Sequence, residues 1–317
     1  LGWRTLCLNT TGVGNTAVGY NALRNNTTGR SNTAVGADTL LLNTTGCRNV
    51  AISYGSMRYN TTGSFNTSSG YYSMNSNTSG SRNNAYGEQA LRYNTTGCCN
   101  NAFGEFALLY NTTGMRNTAV GHSAMQSNTS GYNNVAVGFQ ALFENTVGLY
   151  NTALGYNALI CNVSSHYSVS IGYNTGVNSI QGCNNYVGAQ AAYASTTGNN
   201  NVALGVNASY NNTSGSCNTA LGRNALTAIT TGVSNIAIGY NANCAATTDS
   251  NSIVIGTNAV TCGSNTVVIG NSSITDNYFS GTVHADGFCS YSGNDTICFN
   301  DNSQVAGNVS LANTTNC

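Results

Sequence analysis

The groups able to do chemistry in this 317-residue chain are of two abundant kinds and several sparse ones. The sparse ones come first. His122, His166 and His284 stand far apart, and the nine carboxylates follow no spacing that pairs them with a histidine or with each other. Nucleophilic triads and two-carboxylate sites need their members converging on one place, and no pattern here does that. The chain is therefore read as a non-enzyme, with no catalytic residue, no metal site and no cofactor. The abundant groups are twelve cysteines and many Asn-x-Ser/Thr triplets. Such triplets accept N-linked sugar in secreted proteins. Cysteines outside any Cys-x-x-Cys motif, beside so many sequons, favour disulfides in an oxidising compartment over metal binding.

Ten sequons share one register: Asn9, Asn26, Asn43, Asn60, Asn77, Asn94, Asn111, Asn128, Asn162 and Asn212. Eight lie off it: Asn25, Asn66, Asn207, Asn211, Asn271, Asn294, Asn308 and Asn313. The register has two readings. One is a glycan stripe along an edge. The other is a bare turn ladder in which stacked Asn amides bond from one repeat to the next. Crowding weighs against full glycan occupancy, because stacked sites would stand only about 5 Å apart.

What must position these groups is a repeat. The phrase Asn15-Thr-Ala-Val-Gly19 recurs every 17 residues to position 168, then after one 16-residue step at 184, again every 17 to 252, and last at 266. Sixteen copies fill nearly all of residues 1–275. Numbered from Asn15, the unit reads N-T-A-V-G-Y-N-A-L-x-x-N-T-T-G-x-x. It is too short for a helix pair or a propeller blade. It suits two short strands and two turns: one strand at Ala17-Val18, a second marked by Leu23, and a turn at Asn26–Gly29 in which glycine supplies positive φ. A coil of this size buries nothing alone, so stacking is obligatory. Positions 4 and 9 are expected to fill a thin core. Small residues at 3 and 5 are expected to leave a flat outer face for oligomer contact. Residues 276–317 lose the period and are read as a cysteine-containing cap or docking segment.

The unit resembles the head repeats of YadA-like trimeric autotransporter adhesins, most closely in Ser252-Ile-Val-Ile-Gly256 and Thr266-Val-Val-Ile-Gly270. Its 17-residue copies resemble tail-fibre β-roll repeats of phage and virus type. The resemblance implies a parallel, left-handed all-β roll, or β-solenoid, of about 16 coils, commonly trimeric, with a small non-repeating C-terminal cap. A single-chain solenoid is the alternative.

Within the repeat frame the cysteines fall mostly at turn positions. Cys244 and Cys262 nearly stack on adjacent coils and make the first intrachain candidate; Cys161 with Cys183 is a second. Cys289 with Cys298 could close a C-terminal hairpin, and Cys47, Cys98 and Cys99 could bridge chains. Tyr20, Tyr54, Tyr71, Tyr156, Tyr173 and Tyr240 share position 6 and read as cross-coil packing or, secondarily, a sugar-binding stripe. Arginines at positions 10, 16 and 17 read as a solvated edge. Adjacent Thr27 and Thr28, followed by a turn glycine, do not form the alternating rows that would bind ice.

Charged residues are only 6% of the chain and the net charge is zero, which argues against a nucleic-acid partner. No apolar run is long enough for a membrane-spanning helix. The expected role is a structural subunit of an extracellular, glycosylated fibre or surface appendage, on a cell or a virion. The alternative is an adhesin or viral fibre protein binding a cell-surface or glycan receptor. The chain itself is the first expected partner, as a trimer or filament.

Overall fold

A computed structural model describes residues 2–274. Sixteen strands of three residues each, from Thr16–Val18 to Val267–Ile269, form one parallel sheet in strict chain order. Each strand pairs with the next in register, position on position: Thr16 opposite Thr33, Ala17 opposite Ala34, Val18 opposite Val35. Even the shortened 16-residue coil keeps this register, with Ser170 opposite Tyr186. The result is an all-β solenoid with no helix among the described residues. All its strands lie in a compact unit that ends at Ser273. The candidate cap, residues 276–317, lies outside the described residues.

The coil has one strand, not two. Residues around Leu23 form a turn in which positions 7 and 9 both adopt the left-handed backbone, as in Asn21 (φ 57°) and Leu23 (φ 51°). A bulky residue there costs roughly 1–2 kcal/mol, yet the turn recurs in coil after coil with Leu or Met at position 9. What holds it is the neighbouring coil. The Leu23 N–H donates to the Thr39 carbonyl at 3.0 Å, and the Asn21 N–H donates the other way, to the Trp3 carbonyl at 3.0 Å. Hydrogen bonding therefore continues from coil to coil around the turn, where no strand is present.

The core also differs from expectation. Position 3 points inward: Ala34, Ala51, Ala85 and Ala102 are fully buried. Position 4 points outward, with Val18 and Ile52 each 42% exposed. Alternation along a strand puts the two positions on opposite faces but does not say which is inside. The lumen decides. It already holds Ala22 and Leu23 from the facing turn, together with asparagines, and only a methyl group fits beside them. Position 9 is buried, as expected. Variation carried the information: position 3 is almost always Ala or Ser, whereas position 4 runs from Ser69 to Phe103. A tight lumen tolerates no such range.

The two repeated glycines serve different ends. Position 5 has positive φ (131° at Gly19), and a Cβ there would lie 2.5 Å from the Gly36 carbonyl oxygen. Position 15 does not have positive φ, contrary to expectation. Gly29 is needed for room, because a Cβ would meet the Asn26 side chain and the Gly46 carbonyl.

Ala102→Leu overpacks the lumen and should destabilise by about 1–3 kcal/mol. Val120→Thr, on the outward face, should leave the midpoint nearly unchanged. Urea denaturation followed by circular dichroism checks both.

Candidate functional site

The sequon register lies inside the coil. Asn26, Asn43, Asn60, Asn77, Asn94, Asn111, Asn128, Asn162 and Asn212 are fully buried, and Asn9, at the N-terminal end, is partly so. From Asn26 to Asn145 each Nδ2 donates to the Oδ1 of the asparagine one coil earlier, at 2.7–2.8 Å. The second Nδ2 proton goes to the position-15 glycine of the same coil, as Asn43 does to the Gly46 carbonyl at 3.0 Å. A second asparagine row, at position 1, runs beside the first. Asn32 Nδ2 donates to that same Gly46 carbonyl at 2.8 Å, and Asn32 Oδ1 accepts the Asn49 N–H at 2.9 Å. Two amides thus converge on one carbonyl, filling both of its lone pairs.

This arrangement weighs against the glycan expectation at the nine fully buried in-register sequons. A sugar on Nδ2 would break the ladder and has no space inside the coil. Of the off-register sequons, Asn66 is also buried, Asn211 is exposed, and Asn25, Asn207 and Asn271 are half-buried. Asn294, Asn308 and Asn313 lie outside the described residues. The ladder reading, in which amides bond from coil to coil, is the one the geometry carries. The adjacent threonines join it: Thr27 Oγ1 donates to the Thr44 carbonyl at 3.0 Å.

The ladder ends at Asn145 and does not resume: position 12 of the later coils holds Asn162, Ser179, Ser195, Asn212, Ile229 and Ala246. Position 15 becomes Ser165, and Asn162 turns its Oδ1 to the Ser165 N–H at 3.0 Å. Asn145 Oδ1 and Asn162 Nδ2 are then buried without hydrogen-bond partners. The next coil is the short one, and its interior is Ser168, Ser170, Thr175 and Ser179, all fully buried. The apolar core divides here, with one cluster ending at Leu159 and the other starting at Tyr186. Tyr186 occupies a position-3 site and is fully buried because Gly176 and Ala192 stand where neighbouring coils carry Leu or Met. Its hydroxyl lies 3.0 Å from Ser195 Oγ, and burial pushes its pKa up to about 12.

The nine described cysteines are free thiols, so the pairs Cys244–Cys262 and Cys161–Cys183 are not formed. Cys244 is buried and Cys262 exposed; near-stacking along the chain does not make their side chains meet. The pair Cys289–Cys298 lies outside the described residues. Burial, and then the nearby Asp249 carboxylate, push the Cys244 thiol up to about 11. Cys98 is raised by burial and by Cys99 beside it.

The histidines are not brought together. His166 Nδ1 accepts the Leu149 N–H at 3.0 Å and lines a shallow depression of about 400 Å³ with Ser164, Gln181 and Cys183. His122 lies 3.8 Å from the Glu105 carboxylate and stacks on Phe139. No cluster of three or more His, Cys, Asp or Glu is placed to hold a metal among the described residues. The position-6 rings stack coil on coil: His122 on Phe139 at 5.3 Å, Phe139 on Tyr156 at 5.1 Å, Tyr156 on Tyr173 at 5.5 Å. Rings stacked this way turn their edges outward, whereas sugar binding uses ring faces. Tyr240 has no aromatic residue at position 6 of the coils beside it, which carry Arg223 and Thr257.

What the solenoid does present is the outer sheet face. Position 4 is exposed in every coil but those of Ser69 and Leu154, which are half-buried, and position 2 beside it carries Thr, Val, Ile or Asn in every coil. Neither row holds a charged residue. No protein-family model matches the chain, and the search of curated proteins found no match.

Asn77→Ala removes one rung, leaving the Asn60 carbonyl oxygen without its donor and the Asn94 amide without its acceptor. The expected loss is about 2–4 kcal/mol, against much less for a change at exposed Thr96, measured by denaturant unfolding. Thiol labelling supplies a pH test. The thiolate reacts, so a raised pKa means Cys244 should stay protonated and unreactive at neutral pH, opening to alkylation only as pH approaches about 11. Exposed Cys7, Cys217 and Cys262 should label first, as peptide mass spectrometry would show.

Proposed function

We propose that this chain is a structural rod subunit of an extracellular fibre or surface appendage, which associates with copies of itself through the outer sheet face. The supporting observation is the uncharged face itself. Fourteen of the sixteen position-4 side chains are apolar and between 36% and 47% exposed, in one file interrupted at Ser69 and Leu154. Isolated apolar side chains on a surface need no explanation, but contiguous patches beyond a few hundred Å² mark interaction surfaces. Sixteen coils at strand spacing give a face roughly 75 Å long. Taken about 10 Å wide, it would bury near 1,500 Å² in total between two copies, the size of a specific interface.

The contact surface differs from the one sequence reasoning chose. Alanine at position 3 is inside, so the contact passes to positions 2 and 4. Their Thr, Val, Ile and Leu side chains, with Tyr86 and Phe103 as the largest, make an uncharged surface that suits packing of one sheet on another about 10 Å away. The likeness to trimeric adhesin heads supports three copies about a common axis. Coils that bury mainly Ala and Leu remove little apolar surface from water per residue, and association compensates for a thin core.

Sedimentation velocity on the purified chain in reducing buffer tests this reading. The wild type should sediment as an oligomer, and Val120→Lys with Val137→Lys should sediment as a monomer with an unchanged β-sheet spectrum. A monomeric wild type at micromolar concentration, or an oligomer indifferent to the two lysines, would overturn the proposal.

A further inference from the structure

The arginines are not scattered when the chain is coiled. Eight of the nine precede residue 117, and Arg48, Arg82 and Arg116 recur at position 17 of every second coil. Arg30 stands at position 16, one coil before Arg48. All four are exposed. Their rise follows from the strand spacing: about 10 Å between successive position-17 guanidiniums, and about 24 Å from Arg30 to Arg116. The acids of these coils, Asp38, Glu88 and Glu105, occupy positions 6 and 7, across the strand on the opposite edge. This edge is therefore positive and uncompensated, although the chain as a whole is neutral.

The row is also held in place. The Arg48 N–H donates to the Arg30 carbonyl at 2.9 Å, Arg82 to the Ser64 carbonyl at 3.0 Å, and Arg116 to the Cys98 carbonyl at 3.0 Å. Phe65 stands between Arg48 and Arg82 at the same coil position, with their guanidinium carbons 5.0 and 5.9 Å from its ring centroid. Cation–π contact with one ring restrains both side chains and lowers the entropy lost when a ligand is gripped. By contrast, the position-10 arginines are engaged elsewhere: Arg58 pairs with Asp38 at 3.7 Å, and Arg92 bonds Gln89 and lies over Tyr72 and Tyr93.

From this geometry we infer that the position-17 edge of the N-terminal coils binds a linear acidic polysaccharide carrying one anionic group per disaccharide. The spacing selects the ligand class. Two extended β-linked sugars cover roughly the distance between successive guanidiniums on every second coil. A nucleic-acid strand places a charge about every 3.4 Å, a density that three arginines about 10 Å apart do not match. Guanidinium suits the task because its planar fork takes a carboxylate or sulfate by paired hydrogen bonds. The Phe65 ring adds an apolar surface between two of the contacts.

Hyaluronan oligosaccharides, with one carboxylate per disaccharide, are the probe. Binding to the full chain, followed by isothermal titration at low salt, should be measurable and should weaken as salt rises. The triple variant Arg48→Gln, Arg82→Gln, Arg116→Gln should bind about 10- to 100-fold more weakly, while Arg24→Gln with Arg92→Gln should bind as the wild type does. A circular dichroism spectrum and urea midpoint matching the wild type establish that the triple variant is folded; an equivalent set with Lys at the three positions should regain part of the affinity. The inference is overturned if the wild type does not bind, if the triple variant binds equally well, or if single-stranded DNA of equal length binds as tightly as the oligosaccharide.

Discussion

The structure depends on one buried contact, made in each of the first eight coils and again at Gly215: two asparagine amides donating to the carbonyl of the position-15 glycine. A coil of 17 residues encloses too little apolar volume to close on hydrophobic burial alone. The amides act as struts across the lumen. Asn43 and Asn32 meet at the Gly46 carbonyl from opposite sides, and the side-chain oxygens they leave over serve the following coil. Burying an amide is unfavourable when it is unpaired and tolerable when every donor and acceptor is used. Stacking identical coils meets that condition, because each rung supplies what its neighbour lacks. The dependence runs outward from there. Glycine is required at position 15 because the amides leave no room for a Cβ, alanine at position 3 because the lumen is already occupied, and the outward face is left to take whatever side chains it carries.

Much of this was legible in the sequence. The 17-residue period, the stacking of coils and a strand over Ala17-Val18 follow from the phrase and its spacing; the parallel roll came from the family resemblance, and the second strand expected at Leu23 is a turn. The possibility of an amide ladder was legible too, as one of two readings of the same asparagines. The inside and outside of the strand were not legible from hydrophobicity, because valine looks more buried than alanine on any scale. Size variation was the better guide: a site holding Ser69, Tyr86 and Phe103 in successive or nearby coils cannot be a lumen. The left-handed leucines were invisible to propensity rules, which weigh a residue by itself, whereas here a neighbouring coil supplies the bonds that hold the backbone. The free cysteines show a related limit. Two residues 18 apart sit on adjacent coils, but a shift of one position around the turn carries Cys244 inside and leaves Cys262 out.

The two surface rows have different origins in the same repeat. The sheet face is periodic in every coil, so it extends the full length of the solenoid and suits a partner with the same repeat. The arginine row has a two-coil period and ends after Arg116. A solenoid converts such sequence periods directly into distances, so a change of residue every 34 positions becomes a ruler for a ligand with a longer repeat. The repeat frame already puts these arginines on one edge; the coil turns their spacing into distances.

The short coil at residues 168–183 separates two interiors. On either side of it the apolar core is continuous, and within it the lumen holds small hydroxyl side chains. A stack of uniform coils has one continuous core; this one has its core divided at an internal coil, between Leu159 and Tyr186. The two apolar blocks therefore meet through hydroxyl side chains, while the parallel strand pairing runs across the division without a break.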